Sequence, residues 1–190
     1  MSPAPVRFDP TAIALHWLLA LLILAALALG NYMSGLPLTP TRLKLYNWHK
    51  WLGVTVLGLS ILRLAWRLRH RPPPLPPMPA WQRMAAQGVR GLMYALFIGV
   101  PLAGWAYSSA AGFPMVLFGV LPLPDFVAPD RDLAEAIKPL HGLLAYTLAA
   151  LAAVHVGAAL KHQFFDRDGL LQRMLPKQMA AANVHGTQTR

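Results

Sequence analysis

Residues 139–164, PLHGLLAYTLAALAAVHVGAALKHQF, decide how this chain is to be read. The run is long and apolar enough to cross the hydrocarbon core of a bilayer, which takes about 20 residues for roughly 30 Å. Yet it carries His141, His155 and His162. An imidazole inside a bilayer is costly, so ionisable residues in such spans mark functional sites by default. His141 and His155 stand fourteen residues apart, about 21 Å of rise and nearly four whole turns, within roughly 40° of each other on one face. One histidine therefore lies near each membrane surface, and both point to the same side of the helix.

Working outward, three more segments have the length and composition of a span. One runs from about residue 11 to 30 and contains His16, with Asp9 and Thr11 as cap residues and Asn31, Gly35 and Pro37 ending it. A second, about 45–68, opens on Tyr46, Trp48, His49, Lys50 and Trp51, an aromatic and basic cluster suited to the membrane interface, and carries Arg63 and Arg67 in its last turns. A third, about 88–109, holds Pro101 and no histidine; neighbouring helices tolerate such a proline in a membrane. With a fourth helix over about 136–164, the fold class is all-α, an integral membrane four-helix bundle in one domain, residues 1–176. Residues 71–79 are Pro-rich and cannot be helical. Residues 113–123 are apolar but short and broken by Gly119 and Pro122, an interfacial or re-entrant piece rather than a fifth span. The tail, 177–190, reads as disordered.

Composition agrees. The 190 residues are 56% hydrophobic and 13% charged, well away from a soluble domain. Seventeen Lys and Arg against seven Asp and Glu give a net charge of +10, which in a soluble protein would suggest nucleic acid; the apolar spans overrule that partner. The chain has no cysteine, which excludes disulfides, iron–sulfur clusters, thiolate-bound zinc and covalent haem attachment through a Cys-x-x-Cys-His run. Histidine is the metal or haem ligand left. The N-terminal residues lack the basic n-region and small-residue cleavage site of a signal peptide, so the first apolar run reads as a helix that stays in the bilayer.

Loops left in the cytoplasm carry the excess of Lys and Arg. Arg67, Arg69, Arg71, Arg83 and Arg90 crowd the connection between the second and third helices, and Lys161, Arg167, Arg173 and Lys177 follow the fourth. Asp125, Asp130, Asp132 and Glu135 dominate the connection between the third and fourth. Both termini and the Pro-rich linker are therefore expected in the cytoplasm. This topology puts His16 and His155 at one depth near the cytoplasmic side and His49 and His141 at one depth near the outer side. Two histidine pairs on facing helices, stacked about 20 Å apart, are what two six-coordinate haems in a bundle would need. His162, seven residues beyond His155, is a rival ligand but reads as interfacial beside Lys161; His70 and His185 read as solvated.

Arg63, Arg67 and Lys161 near the inner pair, and Lys50, Arg42 and Lys138 near the outer one, are of the right type to pair with haem propionates. Snorkelling to lipid head groups accounts for them equally well. Trp17, Trp48, Trp51 and Trp105 are placed either to line haems or to form the interfacial belts. Gly53, Gly58, Gly142 and Gly157 on the second and fourth helices would let a haem or a neighbouring helix approach closely.

The runs Ala14-Leu15-His16-Trp17, Trp48-His49-Lys50-Trp51-Leu52-Gly53, Leu140-His141-Gly142 and His155 through Lys161-His162-Gln163-Phe164-Phe165, with Asp168-Gly169-Leu170-Leu171 and Arg173-Met174-Leu175-Pro176 after them, resemble the bacterial cytochrome b561 family. The resemblance spans almost all of the chain before the tail. It implies an inner-membrane protein with two non-covalent b haems that exchanges electrons with the quinone pool. By position it assigns His16 and His155 to the inner haem and His49 and His141 to the outer one. It further implies ubiquinone as a partner, and superoxide as an electron donor on the periplasmic side, where Arg42, Lys44 and Lys50 form a positive patch suited to an anion or to a propionate.

Two other readings share the residues. A cytochrome b anchor subunit passing electrons from a hydrogenase or dehydrogenase would need a docking surface, which the short loops offer little of. A small transporter or proton relay would use the histidines without iron and predicts no haem absorbance.

Overall fold

The computed structural model describes residues 7–74 and 77–175. Four helices fill it: α1 (Pro10–Ser34), α2 (Pro40–Arg69), α3 (Ala80–Ala110) and α4 (Arg131–Lys161). All four are long and apolar enough to cross a membrane. Each is longer than the apolar pattern suggested, because the caps lie in the polar flanks. Asp9 accepts from the Ala12 N–H at 2.9 Å, Thr39 from Arg42 at 3.3 Å and Asp130 from Leu133 at 3.0 Å, satisfying donors that the first turn leaves orphaned. Pro10 and Pro40 occupy first-turn positions, where their missing N–H costs nothing. Pro101 and Pro139 sit inside α3 and α4 without ending them.

The 113–123 segment is no fifth span. It forms a hairpin, β1 (Val116–Leu117) against β2 (Leu121–Pro122), antiparallel, with Val116 opposite Pro122. Phe118 and Gly119 at its tip both take positive φ, and Phe118, Val120 and Leu121 are exposed. Trp51 of α2 holds the hairpin by donating to the Val116 carbonyl at 2.8 Å. At the opposite end of the bundle, α4 runs into a π-helical turn, His162–Asp166, and a 3₁₀ turn, Leu171–Met174. That segment folds back beneath the helices. Trp17 donates to the Met174 carbonyl at 2.8 Å, the Phe8 N–H to Arg173 at 3.2 Å, and Arg173 to the Pro74 carbonyl at 2.7 Å. The bundle thus has a hairpin end and a terminal end. The stretch 177–190 lies outside the described residues, as does His185.

Packing is uneven around the bundle. α1 packs on α2, α2 on α3 and α3 on α4, while α4 has no comparable contact with α1 or α2. One apolar cluster ties the helices at mid-height: Leu19 and Ile23 from α1, Val56 from α2, Leu96 and Phe97 from α3, and Leu148 from α4. Leu148 lies midway along the chain between His141 and His155. Above and below this cluster, the gap between α4 and its neighbours α1 and α2 is spanned by histidines.

Candidate functional site

Two imidazole pairs bridge that gap. His16 and His155 face each other with ring centres 6.2 Å apart, and His49 and His141 with centres 6.1 Å apart. Two imidazoles bound to one iron from opposite sides, with metal–nitrogen bonds of about 2.0 Å, would place their ring centres roughly 6.3 Å apart. Both pairs fit that requirement, so the residues present suit a bis-histidine haem at each level. The planes within the pairs are inclined at 70° and 84°.

The supporting residues share a period. His16 and Gly30 on α1, His49 and Arg63 on α2, Arg90 and Gly104 on α3, and His141 and His155 on α4 are each fourteen residues apart, which returns a helix to nearly the same face about 21 Å along its axis. The bundle therefore carries two layers of four. The hairpin-end layer consists of Gly30, His49, Gly104 and His141, and the terminal-end layer of His16, Arg63, Arg90 and His155.

In the hairpin-end layer the glycines seat the ligands. A Cβ at Gly30 would stand 3.0 Å from His49 Cε1, and one at Gly104 would stand 2.9 Å from His141 Cε1. The His141 Nδ1–H donates to the Val100 carbonyl at 3.0 Å, which leaves Nε2 free to ligate. His49 Nδ1 is buried and has no hydrogen-bond partner among the described residues. Lys50, next to His49, extends toward the base of the hairpin. Its Nζ donates to the Pro114 carbonyl at 3.1 Å and reaches Ser108 Oγ at 3.4 Å, tying α2 to the base of the hairpin. Arg42 donates to the Tyr46 hydroxyl at 2.9 Å.

In the terminal-end layer Arg63 and Arg90 stand where the hairpin-end layer has His49 and Gly104. One guanidinium nitrogen of Arg63 lies 3.0 Å from His16 Nδ1, and the group stacks over Tyr94 with its carbon 5.7 Å from the ring centre. Arg90 lies on α3 one turn before Tyr94. Arg67, half-buried, sits one turn further toward the terminal end. Trp17 meets His16 edge-on at 5.3 Å.

His162 and His70 stand apart from both layers. His162 Nδ1 contacts Asp168 Oδ2 at 2.7 Å and Asp166 Oδ2 at 3.1 Å, beside the Lys161–Asp166 ion pair; it belongs to the terminal-end turn, while His155 pairs with His16. His70 is exposed at the end of α2, where it caps the helix and stacks on Trp66, ring centres 4.0 Å apart. Trp51 and Trp105 pack on Phe118 and Phe126. Of the two readings given to Gly53, Gly58, Gly142 and Gly157, a haem or a neighbouring helix in close approach, the helix is not what stands against them: a Cβ at any of them would meet no protein atom within 4 Å. Sequence reasoning missed Gly30 and Gly104, and it took Arg90 only as a loop charge. The signal that would have found all three is the fourteen-residue spacing, visible in the histidines of α4 and repeated on every other helix.

Comparison with known proteins agrees with this geometry. A family model described as prokaryotic cytochrome b561 matches residues 7–177. Cytochrome b561 homolog 2 of Escherichia coli (strain K12) is 33% identical over 182 residues, covering 95% of this chain and 97% of that protein. Cytochrome b561 homolog 1 of the same organism is 33% identical over 174 residues, covering 90% and 98%. A Yersinia pestis protein named "Probable superoxide oxidase CybB" is 31% identical over 178 residues, covering 90% and 97%. Four membrane-spanning helices carrying two facing histidine pairs, matched over nearly their whole length, make this chain a member of the prokaryotic cytochrome b561 family, a membrane cytochrome whose family implies haem b.

Proposed function

We propose that the chain is a two-haem membrane electron carrier that moves electrons between an outer donor and ubiquinone. The observation that carries this reading is the pair of imidazole separations, 6.2 and 6.1 Å, repeated at two levels of one bundle. His16 and His155 would hold one haem, and His49 and His141 the other. Each bound haem supplies a one-electron couple, the chemistry that belongs to the cofactor rather than the protein. The chain's own residues fix ligation, spacing and surroundings. The Leu19, Ile23, Val56, Leu96, Phe97 and Leu148 cluster fills the space between the layers and excludes water from the route. With two histidines as its ligands, each haem would have no open position for a substrate, and its chemistry toward a small donor would be electron transfer alone.

Superoxide is the donor favoured by the name of the Yersinia pestis relative. Two superoxide ions, one ubiquinone and two protons would then yield two dioxygen molecules and one ubiquinol. Arg42, Lys44 and Lys50 near the hairpin end provide a cationic approach for the anion, and Arg63, Arg67 and Lys50 are the cofactor-binding cations proposed for the propionates. The basic residues at the terminal end favour its placement in the cytoplasm of a bacterial inner membrane.

The test is the reduced-minus-oxidised spectrum and pyridine haemochrome of detergent-purified protein, wild type and His16→Ala, His49→Ala, His141→Ala and His155→Ala. About two b haems per wild-type chain, with one lost or altered in each variant, is the expected result. Wild type without haem after haem-supplemented expression would overturn the proposal.

A further inference from the structure

No Asp or Glu occurs between Asp9 and Asp125, so α1, α2 and α3 carry no carboxylate side chain. Arg42, Lys44 and Lys50 nevertheless gather in the first half of α2, at the hairpin end. Two of these cations are engaged within the protein. Arg42 donates to the Leu36 carbonyl and the Tyr46 hydroxyl, and Lys50 to the Pro114 carbonyl. Lys44 is exposed and enters no ion pair among the described residues. A cation at a membrane surface without an acidic neighbour on its own helix finds its counter-charge in anionic lipid.

Beyond Lys44 the same stripe of α2 turns apolar. Trp48, Trp51, Leu52 and Thr55 follow it at four, seven, eight and eleven residues, the spacing of one helix face over about 16 Å of rise. With Leu29 of α1 and Phe118 of the hairpin tip they line a groove of about 340 Å³, a volume at the lower end of small-molecule sites. Trp48 and Phe118 are more than half exposed, so the groove opens outward from the bundle. Two of its polar groups are already satisfied: Trp51 Nε1 donates to the Val116 carbonyl and the Thr55 hydroxyl to the Trp51 carbonyl, both at 2.8 Å. Those walls suit an acyl chain and offer no partner to the carbonyls of a polar ring. Phe118 completes the groove with φ at +52°, a left-handed backbone that bulky residues rarely adopt. In that conformation its ring lies against Trp51, centres 5.6 Å apart.

We infer that this groove and Lys44 together form a binding site for one anionic phospholipid of the leaflet at the hairpin end, the outer leaflet in the orientation proposed above. The acyl chain lies along Trp48, Leu52 and Phe118, and the phosphate meets Lys44, one turn nearer the membrane surface. A lipid seated there joins α1, α2 and the hairpin, and a ligand that binds only the folded chain stabilises it. The site depends on the membrane placement of α1 and α2 and on no cofactor.

The experiment is native mass spectrometry of the purified full chain, delipidated in detergent and titrated with phosphatidylglycerol or with phosphatidylcholine of the same acyl chains. Wild type should bind a first phosphatidylglycerol about fivefold more tightly than phosphatidylcholine, the preference that one surface lysine confers, and later lipids without distinction. Lys44→Gln should bring the two lipids level, whereas Lys161→Gln, at the terminal end, should keep the preference. Leu52→Trp, which fills the groove, should weaken the first binding step for both lipids. Thermal midpoints identify the variants that fold; should Leu52→Trp fail to fold, wild type and the two lysine variants decide. The inference is overturned by equal binding of the two lipids to wild type, by a preference that survives Lys44→Gln or disappears equally in Lys161→Gln, by undiminished binding to folded Leu52→Trp, or by ubiquinone displacing the bound phosphatidylglycerol one for one.

Discussion

Gly104 lies against His141 so closely that a Cβ added at position 104 would stand 2.9 Å from the imidazole Cε1. The same ring donates from Nδ1 to the Val100 carbonyl, one turn earlier on α3, at 3.0 Å. Its position is therefore fixed by the backbone of α3, with Gly104 providing the room. Gly104→Ala should push the imidazole off its axis and weaken the hairpin-end haem selectively. Disturbing a ligand's support costs roughly 10–100-fold in affinity for the bound metal, so the variant should purify with less than the wild-type haem, measured by pyridine haemochrome. Gly30→Ala should do the same through His49, 3.0 Å from its added Cβ. Gly88→Ala, on an exposed turn of α3 with nothing within 4 Å, should leave haem content unchanged. Full haem occupancy in Gly104→Ala and Gly30→Ala would show that the glycines do not position the ligands.

His162 offers a second separation of roles. It lies on nearly the same face of α4 as His155, seven residues on, and by spacing alone either would suit the inner pair. In the folded chain His155 faces His16 at 6.2 Å, while His162 is engaged by Asp168 and Asp166. His162→Ala should keep both haems and their spectra, whereas His155→Ala should lose the terminal-end one. A missing terminal-end haem in purified His162→Ala would reassign the ligand.

The four spans and the histidine pairing were legible in the sequence because both follow from periodicity: about 20 apolar residues per span, and matched depths for His16 with His155 and His49 with His141. The helix ends were less legible. Hydropathy fades before the helix stops, so α3 starts at Ala80 rather than near residue 88, and α2 at Pro40 rather than near 45. Contacts that depend on packing between helices were not legible either. Gly30 and Gly104 look like any membrane glycine until His49 and His141 are set against them, and Arg63 looks like a snorkelling cation until it meets His16. The hairpin at 113–123 was readable as a non-span from its length, though its strand pairing depends on positive φ at Phe118 and Gly119.

Asp9 couples the start of α1 to the end of α2. Its Oδ1 accepts from the Ala12 N–H at 2.9 Å and from Trp66 Nε1 at 3.0 Å. Loss of an N-cap side chain costs about 0.5–2 kcal/mol, and the Trp66 donor would be left without its partner. Asp9→Ala should therefore lower the thermal midpoint of the detergent-solubilised protein, followed by loss of haem absorbance. Asp9→Asn, which keeps an accepting oxygen, should recover most of it. Equal midpoints for Asp9→Ala and wild type would mean that the bilayer-facing contacts of α1 and α2 suffice without the cap.

The inclination of the imidazole planes, 70° in one pair and 84° in the other, would bear on the electronic structure of ferric haems held by these proposed ligands. Parallel axial rings interact with one of the two iron dπ orbitals in preference to the other and split them in energy. Rings near a right angle treat the two orbitals almost alike and leave them close to degenerate. Near-degeneracy keeps orbital angular momentum unquenched, so the g tensor becomes strongly anisotropic. Electron paramagnetic resonance of the oxidised protein at low temperature should show low-spin signals of large maximum g, with the 84° pair the more anisotropic. Because His141 is held by Val100 and Gly104, its signal should change in Gly104→Ala while that of the His16–His155 centre persists. Ordinary rhombic low-spin signals from both centres would mean that the imidazole planes rotate toward parallel when iron is bound, and that the packing around His49 and His141 does not fix their orientation.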